Sequence, residues 1–530
     1  MSSISCANTL SLDKPETAEA TAVNQHSYGQ ILKSTALIGG STVLTIAISI
    51  IRTKAMAVLL GPAGFGLMSL YGSIADLARS IAEMGINSSG VRQIAEAVGS
   101  RDTARIAQTV TVLRRISVLL GLLGAVLLVV FAMPVSNLTF GDDQHTTAIA
   151  MLSLAVFFRL VADGQGALIQ GMRRIADLAK MGVVGTFLGA VISIVMVYFL
   201  REDGIVLSLV SIAAMSVIIS WWYSRKVQIQ PPVMTIFQVR QEATELLKLG
   251  FAFMASGFLI MGAAYAVRTM LLRMEGLEAA GFYQAAWTLG GLYVGIILQA
   301  MGADFYPRLT GVANDNTQCN RLVNEQAQIS LLLAGPGVIA TLTFAPFIIT
   351  LFYTANFSEA VDVLRWICLG MALRVIIWPI GFIILAKGAW KFFFWTELAW
   401  AVVNLGLSWV CVSAFGTNGA GIAFFGSYVF HGFLIYPIIR QLSGFKWSST
   451  NKKIGVLFIV LTTAVFCGFH TLPPYWATGL GVLVFVISGL YSIHILLDLI
   501  PLDQMLQPLQ RLLVQFSFAH SKLSRKGSIS

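Results

Sequence analysis

Asp76, Arg79 and Glu83 lie in the stretch "YGSIADLARSIAEMGINSS" (71–89), inside a long apolar region. Their spacing places all three on one face of a helix. Seven basic residues, Arg52, Lys54, Arg79, Arg159, Arg268, Arg365 and Arg374, fall within or at the ends of apolar stretches. A charge at the centre of a membrane helix costs about 2.5–3.5 kcal/mol on insertion scales, so such groups face a bundle interior or a wet cavity. The planar fork of arginine pairs bidentately with phosphate or carboxylate. Arg52, Lys54, Arg79, Arg159, Arg268 and Arg374 are therefore candidate ligands of an anion in a cationic cavity. A lone acid within a span, Glu397, is a candidate carrier of a proton or cation. Glu397 stands alone among aromatics in "WTELAWAVV".

Plainer roles compete with these. Asp76–Arg79–Glu83 and Arg159–Asp163 have the spacing of neutralised pairs that bolt helices together. Arg52, Lys54, Arg268 and Arg365 could snorkel to the outer interface. Asp304 could meet Arg308 one turn on, and His431 could be a packing histidine. Arg374 fits none of these easily, having no acid within a turn.

The elements that must position these groups are membrane helices. The chain of 530 residues is 56% hydrophobic and 11% charged, with a mean hydropathy of +0.78, whereas soluble domains carry about 25% charged residues. Its apolar runs are about 20 residues long and lack period-two alternation, which predicts helices rather than a barrel. Fourteen spans are expected: 31–58, 64–88, 112–133, 146–170, 179–200, 204–223, 246–272, 279–307, 326–353, 359–386, 390–415, 418–439, 454–471 and 476–499. Pro336 and Pro379 interrupt two of them, as hinges or as fixed bends.

With the N-terminus inside, 26 Lys and Arg fall in inside loops and tails, against Arg201 and Arg273 outside. The outside loops are acidic, with Asp142, Asp143, Glu202, Asp203, Glu275, Glu278, Glu359 and Asp362. This bias places both termini in the cytoplasm. It also accounts for the net charge of +10 without nucleic acid as a partner. The five cysteines form no CxxC or Cys/His cluster, so no structural zinc or disulfide framework is expected. Neither a metal nor a cofactor is expected.

The halves of the chain echo each other. Gly64/Gly281, Phe65/Phe282, Met84/Met301 and Gly85/Gly302 match at an offset of 217. Arg159/Arg374, Gly166/Gly381, Ile169/Ile384, Gly204/Gly419 and Arg225/Arg440 match at 215, and Arg52/Arg268 at 216. An offset of six spans keeps both halves in the same orientation, and parallel repeats place a substrate path near the midplane. The expected organisation is a disordered cytoplasmic tail (1–27) without a signal peptide, an N-lobe (28–226), a linker (227–244), a C-lobe (245–441), an extra helix pair (442–500) and a cytoplasmic C-terminal tail (501–530).

The stretch "IRTKAMAVLLGPAGFGLMSLYGSIADLARSIAEMGINSSGVRQIAEA" (51–97) resembles the amino-terminal signature of the Wzx-type O-antigen and polysaccharide translocases, in the polysaccharide transporter branch of the MOP exporter superfamily. The resemblance is most specific at Arg52 and Lys54, at "LLGPAGFG" (59–66) and at "GIN" (85–87). Beyond residue 110 it rests on span pattern and repeat. It implies an all-α polytopic fold of two six-helix lobes around a cationic cavity. It further implies a flippase in the bacterial inner membrane that moves a polyprenyl-diphosphate-linked oligosaccharide, such as an O-antigen or exopolysaccharide repeat unit. Alternating access, coupled to an ion gradient, would drive it. The diphosphate would explain the arginines, and Asp76, Glu83, Asp163 and Glu397 would be the candidate ion-coupling sites. Membrane lipids surround such a protein, and polysaccharide polymerase and chain-length proteins are candidate partners. The family commonly has 12 spans; the extra pair here resembles the lipid II flippases of the superfamily.

Three other classes compete. A multidrug or cation antiporter of the same superfamily would line its cavity with acids, whereas bases are at least as prominent here. A membrane polymerase or ligase would need a sizeable outside loop, and the outside loops are about 15 residues or shorter, ordinary for helix connections. A channel fits poorly with buried charges arranged on a two-lobe repeat. There is no GxxxxGK[ST] motif and so no recognisable ATPase site.

Overall fold

The computed structural model describes residues 16–100, 102–227 and 234–499, except for the side chains of 16–39 and of positions 236, 248–253, 255, 256, 300, 301, 303 and 304. The described residues are helical, with no strands. The helices are α1 (Glu16–Glu83), α2 (Ile86–Gly99), α3 (Thr103–Val130), α4 (Ala132–Thr139), α5 (Thr146–Gly171), α6 (Ile175–Leu200), α7 (Gly204–Ser224) and α8 (Ile236–Glu275). Then follow α9 (Leu277–Gly311), α10 (Asn316–Thr343), α11 (Ala345–Phe352), α12 (Ala360–Ala386), α13 (Trp390–Phe415), α14 (Asn418–Ser443), α15 (Ser449–Thr471) and α16 (Pro474–Leu499).

Among the described residues, twelve stretches are long and apolar enough to cross a membrane. Two of them, Gly40–Glu83 and Ile175–Ser224, have 44 and 50 residues. At 1.5 Å per residue either is about twice the length a bilayer core accommodates, and each is divided near its middle. α6 and α7 are joined by a single 3-10 turn at Arg201–Asp203. α1 breaks at Gly61, whose φ of 65° and ψ of −173° suit only glycine, directly before Pro62. Counting both halves of each restores the fourteen expected spans.

Some boundaries differ from expectation. α1 opens at Glu16, so helix extends into the expected irregular tail, while residues 1–15 and 500–530 lie outside the described residues. α8 opens at Ile236, within the expected linker, of which 228–233 lie outside the described residues. α10 and α12 run unbroken through Pro336 and Pro379. In a bundle, neighbouring helices and local adjustment re-satisfy the backbone groups that proline frees.

The order of elements repeats. α3, α4, α5, α6 and α7 have 28, 8, 26, 26 and 21 residues, and α10 to α14 have 28, 8, 27, 26 and 26. The caps repeat too. Asp102 accepts from the Arg105 N–H at the start of α3, and Asp315 accepts from the Thr317 and Gln318 N–H groups at the start of α10. Both satisfy N-terminal donors that the helix itself leaves unpaired. The eight-residue helix α11 lies within the expected span 326–353, whereas most of α4 lies in the connection expected after 112–133.

The chain forms two compact units. One holds the described chain to Leu59, Ala78–Met133 and Thr146–Met254; the other holds Leu60–Leu77, Pro134–His145 and the described chain from Ala255. Small residues set the helix spacing within each, as expected where lipid removes the hydrophobic drive between helices. In the first unit Gly124 packs on Ala82, Gly164 on Ser117 and Gly171 on Ile94. In the second, Gly290 packs on Ile367, Gly370 on Phe424 and Gly335 on Phe458.

Candidate functional site

The charged groups expected from the sequence divide between the two units. In the first, Arg79 Nη1 donates to Asp163 Oδ2 at 2.7 Å and to Glu83 Oε2 at 3.2 Å. The three side chains are 17–32% exposed. Arg52 donates through Nε to Ser193 Oγ at 3.0 Å, pinning α1 to α6. Arg159, on α5, lies close enough to Arg52 for the two positive charges to repel. Two adjacent positive charges of this kind suit an anion. Lys54, two residues on along α1, is half-buried.

In the second unit, Arg268 is 8% exposed. It donates through Nε to Gln284 Oε1 and through Nη1 to the Ala264 carbonyl, each at 2.8 Å. Its guanidinium lies 6.0 Å from the Tyr283 ring and feels the negative charge of Asp76. Arg268 is thus largely occupied by the protein. Arg365 pairs with Asp362 at 3.0 Å and sits 4.0 Å over Phe469.

Arg374 is differently placed. It lines a cavity of about 270 Å³ together with Glu397, Asn404 and His431, framed by Tyr283, Trp287, Trp378, Phe393, Trp400, Phe424 and Tyr428. Four helices supply the polar and aromatic groups: α9, α12, α13 and α14. Arg374 lies 4.6 Å from the Trp378 ring and 5.9 Å from Tyr428, distances at which a guanidinium is held by ring quadrupoles. Its Nε makes no hydrogen bond, nor does the Trp400 Nε1, nor either ring nitrogen of His431. His431 is only 8% exposed. A buried polar atom without a partner costs about 1–3 kcal/mol, so this concentration of them in one aromatic cavity marks a place prepared for a polar ligand.

The acid that Arg374 lacks along its own helix is Glu397, on α13. Sequence reasoning missed His431, Trp378, Trp400, Asn404 and Tyr428 as site residues. A signal was present. Glu397, Trp400 and Asn404 are spaced i, i+3, i+7, Tyr428 and His431 i, i+3, and Arg374 and Trp378 i, i+4, so each helix turns a polar-aromatic stripe one way. Among the described residues no group of His, Cys, Asp and Glu could hold a metal ion.

The family of polysaccharide biosynthesis proteins matches residues 55–362. The lipid III flippase of Escherichia coli (strain K12) is 21% identical over 407 residues, 75% of this chain and 95% of that protein. Among solved structures, an inward-facing multidrug resistance MATE family transporter of the MOP superfamily aligns with a TM-score of 0.64 at 15% identity, over 76% of this chain and 96% of that one. The lipid II flippase MurJ, in an inward closed conformation, aligns with a TM-score of 0.61 at 14% identity, over 89% of this chain and 100% of that one. The structural likenesses show a common fold.

Proposed function

The chain belongs to the polysaccharide biosynthesis protein family, and from that premise we propose that it is a flippase for a polyprenyl-diphosphate-linked oligosaccharide. It is a multi-pass membrane protein, and its relatives are transporters rather than enzymes. In this proposal it works in the bacterial inner membrane with both termini cytoplasmic, as the basic inside loops suggest. The cargo is a lipid-linked saccharide such as an O-antigen or exopolysaccharide repeat unit. The relative's printed name, lipid III flippase, supports a lipid-linked cargo. The two repeats, with α15 and α16 appended, act as lobes in alternating access driven by an ion gradient. Polysaccharide polymerase and chain-length proteins would act on the delivered product.

The observation that carries this reading is the pair of equivalent arginines, Arg159 on α5 and Arg374 on α12. One sits beside Arg52 and the other in an aromatic cavity with an unpaired Nε. Arg52, Lys54 and Arg159 are assigned to the diphosphate, and Arg374 to the cargo as well. Arg79, ion-paired to Asp163 and Glu83, and Arg268, hydrogen-bonded to Gln284 and Ala264, are assigned to positioning. Asp163 and Glu83 share Arg79, and Asp76 answers Arg268, which leaves Glu397 as the foremost coupling candidate among the four acids.

The test is translocation of a labelled polyprenyl-diphosphate saccharide in sealed proteoliposomes. Arg159→Gln and Arg374→Gln are expected to slow transport at least tenfold, the cost of one charge-assisted hydrogen bond, while eluting as folded protein. Normal transport by both variants would remove these residues from the site. The antiporter alternative draws support from Glu397 in an aromatic cavity, but a cation there would meet Arg374. It becomes the better reading if wild type moves no lipid-linked saccharide under an imposed proton gradient yet exports organic cations.

A further inference from the structure

The cavity framed by α9, α12, α13 and α14 has a composition that a diphosphate does not require. Arg374 and Glu397 both line it, so its formal charge is zero. A diphosphate would meet one cation and one anion there. A metal or ammonium ion would meet the same pair in reverse. What remains complementary is an uncharged molecule with many hydroxyls. The unpaired atoms supply both kinds of hydrogen bond. Arg374 Nε and Trp400 Nε1 donate, and a neutral His431 donates through one ring nitrogen and accepts through the other. The Glu397 carboxylate only accepts when ionised. Aromatic rings, Trp400 and Tyr428 among them, line the cavity beside these groups.

A pyranose ring has this double character. Its C–H faces are apolar enough to lie on an indole or phenol ring, and its edge is a girdle of hydroxyls that donate and accept. The volume of about 270 Å³ is just below the range of pockets for drug-sized ligands, which suits one ring rather than a chain.

We propose that this cavity is a subsite for a single uncharged sugar ring, stacked on Trp400 or Tyr428 and hydrogen-bonded at its edge by Arg374, Glu397 and His431. The source of the sugar, a residue of the lipid-linked cargo, rests on the flippase reading; the binding itself does not. The subsite would let the protein recognise its glycan separately from the lipid diphosphate, with the diphosphate held by other arginines.

The test uses the full chain in detergent micelles and saturation-transfer NMR with methyl α-glucopyranoside and methyl N-acetyl-β-glucosaminide. Inorganic pyrophosphate and tetramethylammonium serve as the anionic and cationic competitors. Saturable transfer to the ring protons of at least one glycoside is expected, undisturbed by either ion. Trp400→Leu and Glu397→Gln should weaken it at least tenfold while the protein stays monodisperse. Should one of these fail to fold, Trp400→Phe, which removes only the indole N–H and part of the ring, should weaken it less but measurably. Binding of pyrophosphate or tetramethylammonium that displaces the glycosides overturns the proposal, as does the absence of binding by both glycosides. Glycoside binding without translocation of any lipid-linked saccharide would sink the flippase reading and leave the subsite standing. Translocation without glycoside binding would do the reverse.

Discussion

Arg79 meets Asp163 at 2.7 Å and Glu83 at 3.2 Å. The first reaches it from α5 and the second from its own helix. Breaking a fully buried pair costs about 3–5 kcal/mol because the survivor is left charged and dry. Here Arg79 and Asp163 keep 32% and 30% exposure, so screening reduces the expected loss to about 1–3 kcal/mol. Arg79→Gln and Asp163→Asn should each lower stability by that amount, and the double variant by clearly less than the sum, because it leaves no orphaned charge between them. Unfolding of purified protein in mixed micelles measures the cycle, and strictly additive losses would show that the contact carries no coupling. Spacing alone had suggested Arg159 as the partner of Asp163 and no partner for Arg374. In both cases the group that matters stands on another helix, Arg79 for Asp163 and Glu397 for Arg374. Periodicity reports which side chains share a face of one helix and is blind to what that face meets.

At the scale of elements, the glycine-rich turn after Gly61 has a packing role that its sequence only half disclosed. Within the second unit, a Cβ on Gly66 would collide with the backbone carbonyl of Leu277, and one on Gly281 with that of Pro62. The helical segments cross there backbone to backbone. Beside the crossing, Phe65 packs edge-on against Tyr353 and Phe357 at 5.4 and 5.8 Å, and Phe282 meets Phe357 at 6.1 Å. Gly66→Ala or Gly281→Ala must push a backbone aside, an overpacking cost of about 1–3 kcal/mol. Either should lower the melting temperature and the yield of monodisperse protein. Gly72→Ala, with nothing within 4 Å of its Cβ, should leave both unchanged. Equal behaviour of all three would mean that the crossing is not tight. The repeat made Gly64/Gly281 and Phe65/Phe282 visible as equivalents. It did not show that Gly66 and Gly281 touch, because alignment identifies positions with the same role in each repeat, and contact is a matter of how elements meet. The short helices α4 and α11 were hidden for a related reason. The apolar residues of α11 continue the hydropathy of the span before it, and α4 is too short and mixed in composition to stand out from a connection.

For the molecule as a whole, the open question is what α15 and α16 add to twelve spans that already form the repeat. Both pack on α10, with Gly335 against Phe458 and Gly481 against Thr343. The segment leading into α15 is fastened to α10 by two asparagines. Asn320 Nδ2 donates to the Ser443 carbonyl at 2.8 Å, and Asn324 Nδ2 to the Lys446 carbonyl at 3.1 Å. Asn324 Oδ1 accepts from the Ser448 N–H at 2.8 Å and from Asn451 Nδ2 at 3.0 Å. Ser448 caps α15 by accepting from the Asn451 N–H, so the latch and the start of the helix are one construction. None of the residues lining the aromatic cavity comes from α15 or α16. A brace and a substrate element therefore make different forecasts. Side-chain hydrogen bonds between membrane helices average about 0.6 kcal/mol each, so Asn324→Ala, which removes several at once, should cost about 1–2 kcal/mol. That loss should appear as a lower melting temperature in detergent. Glycoside binding and translocation, measured below the new melting temperature, should stay within twofold of wild type. Shortening the chain after Gly444 should extend the same trend to a larger loss of stability with the binding of sugar retained. If instead Asn324→Ala leaves stability intact but slows translocation tenfold, the pair is not a brace on α10. It would then move with the transport cycle, and its contacts with α10 would be the ones that must release.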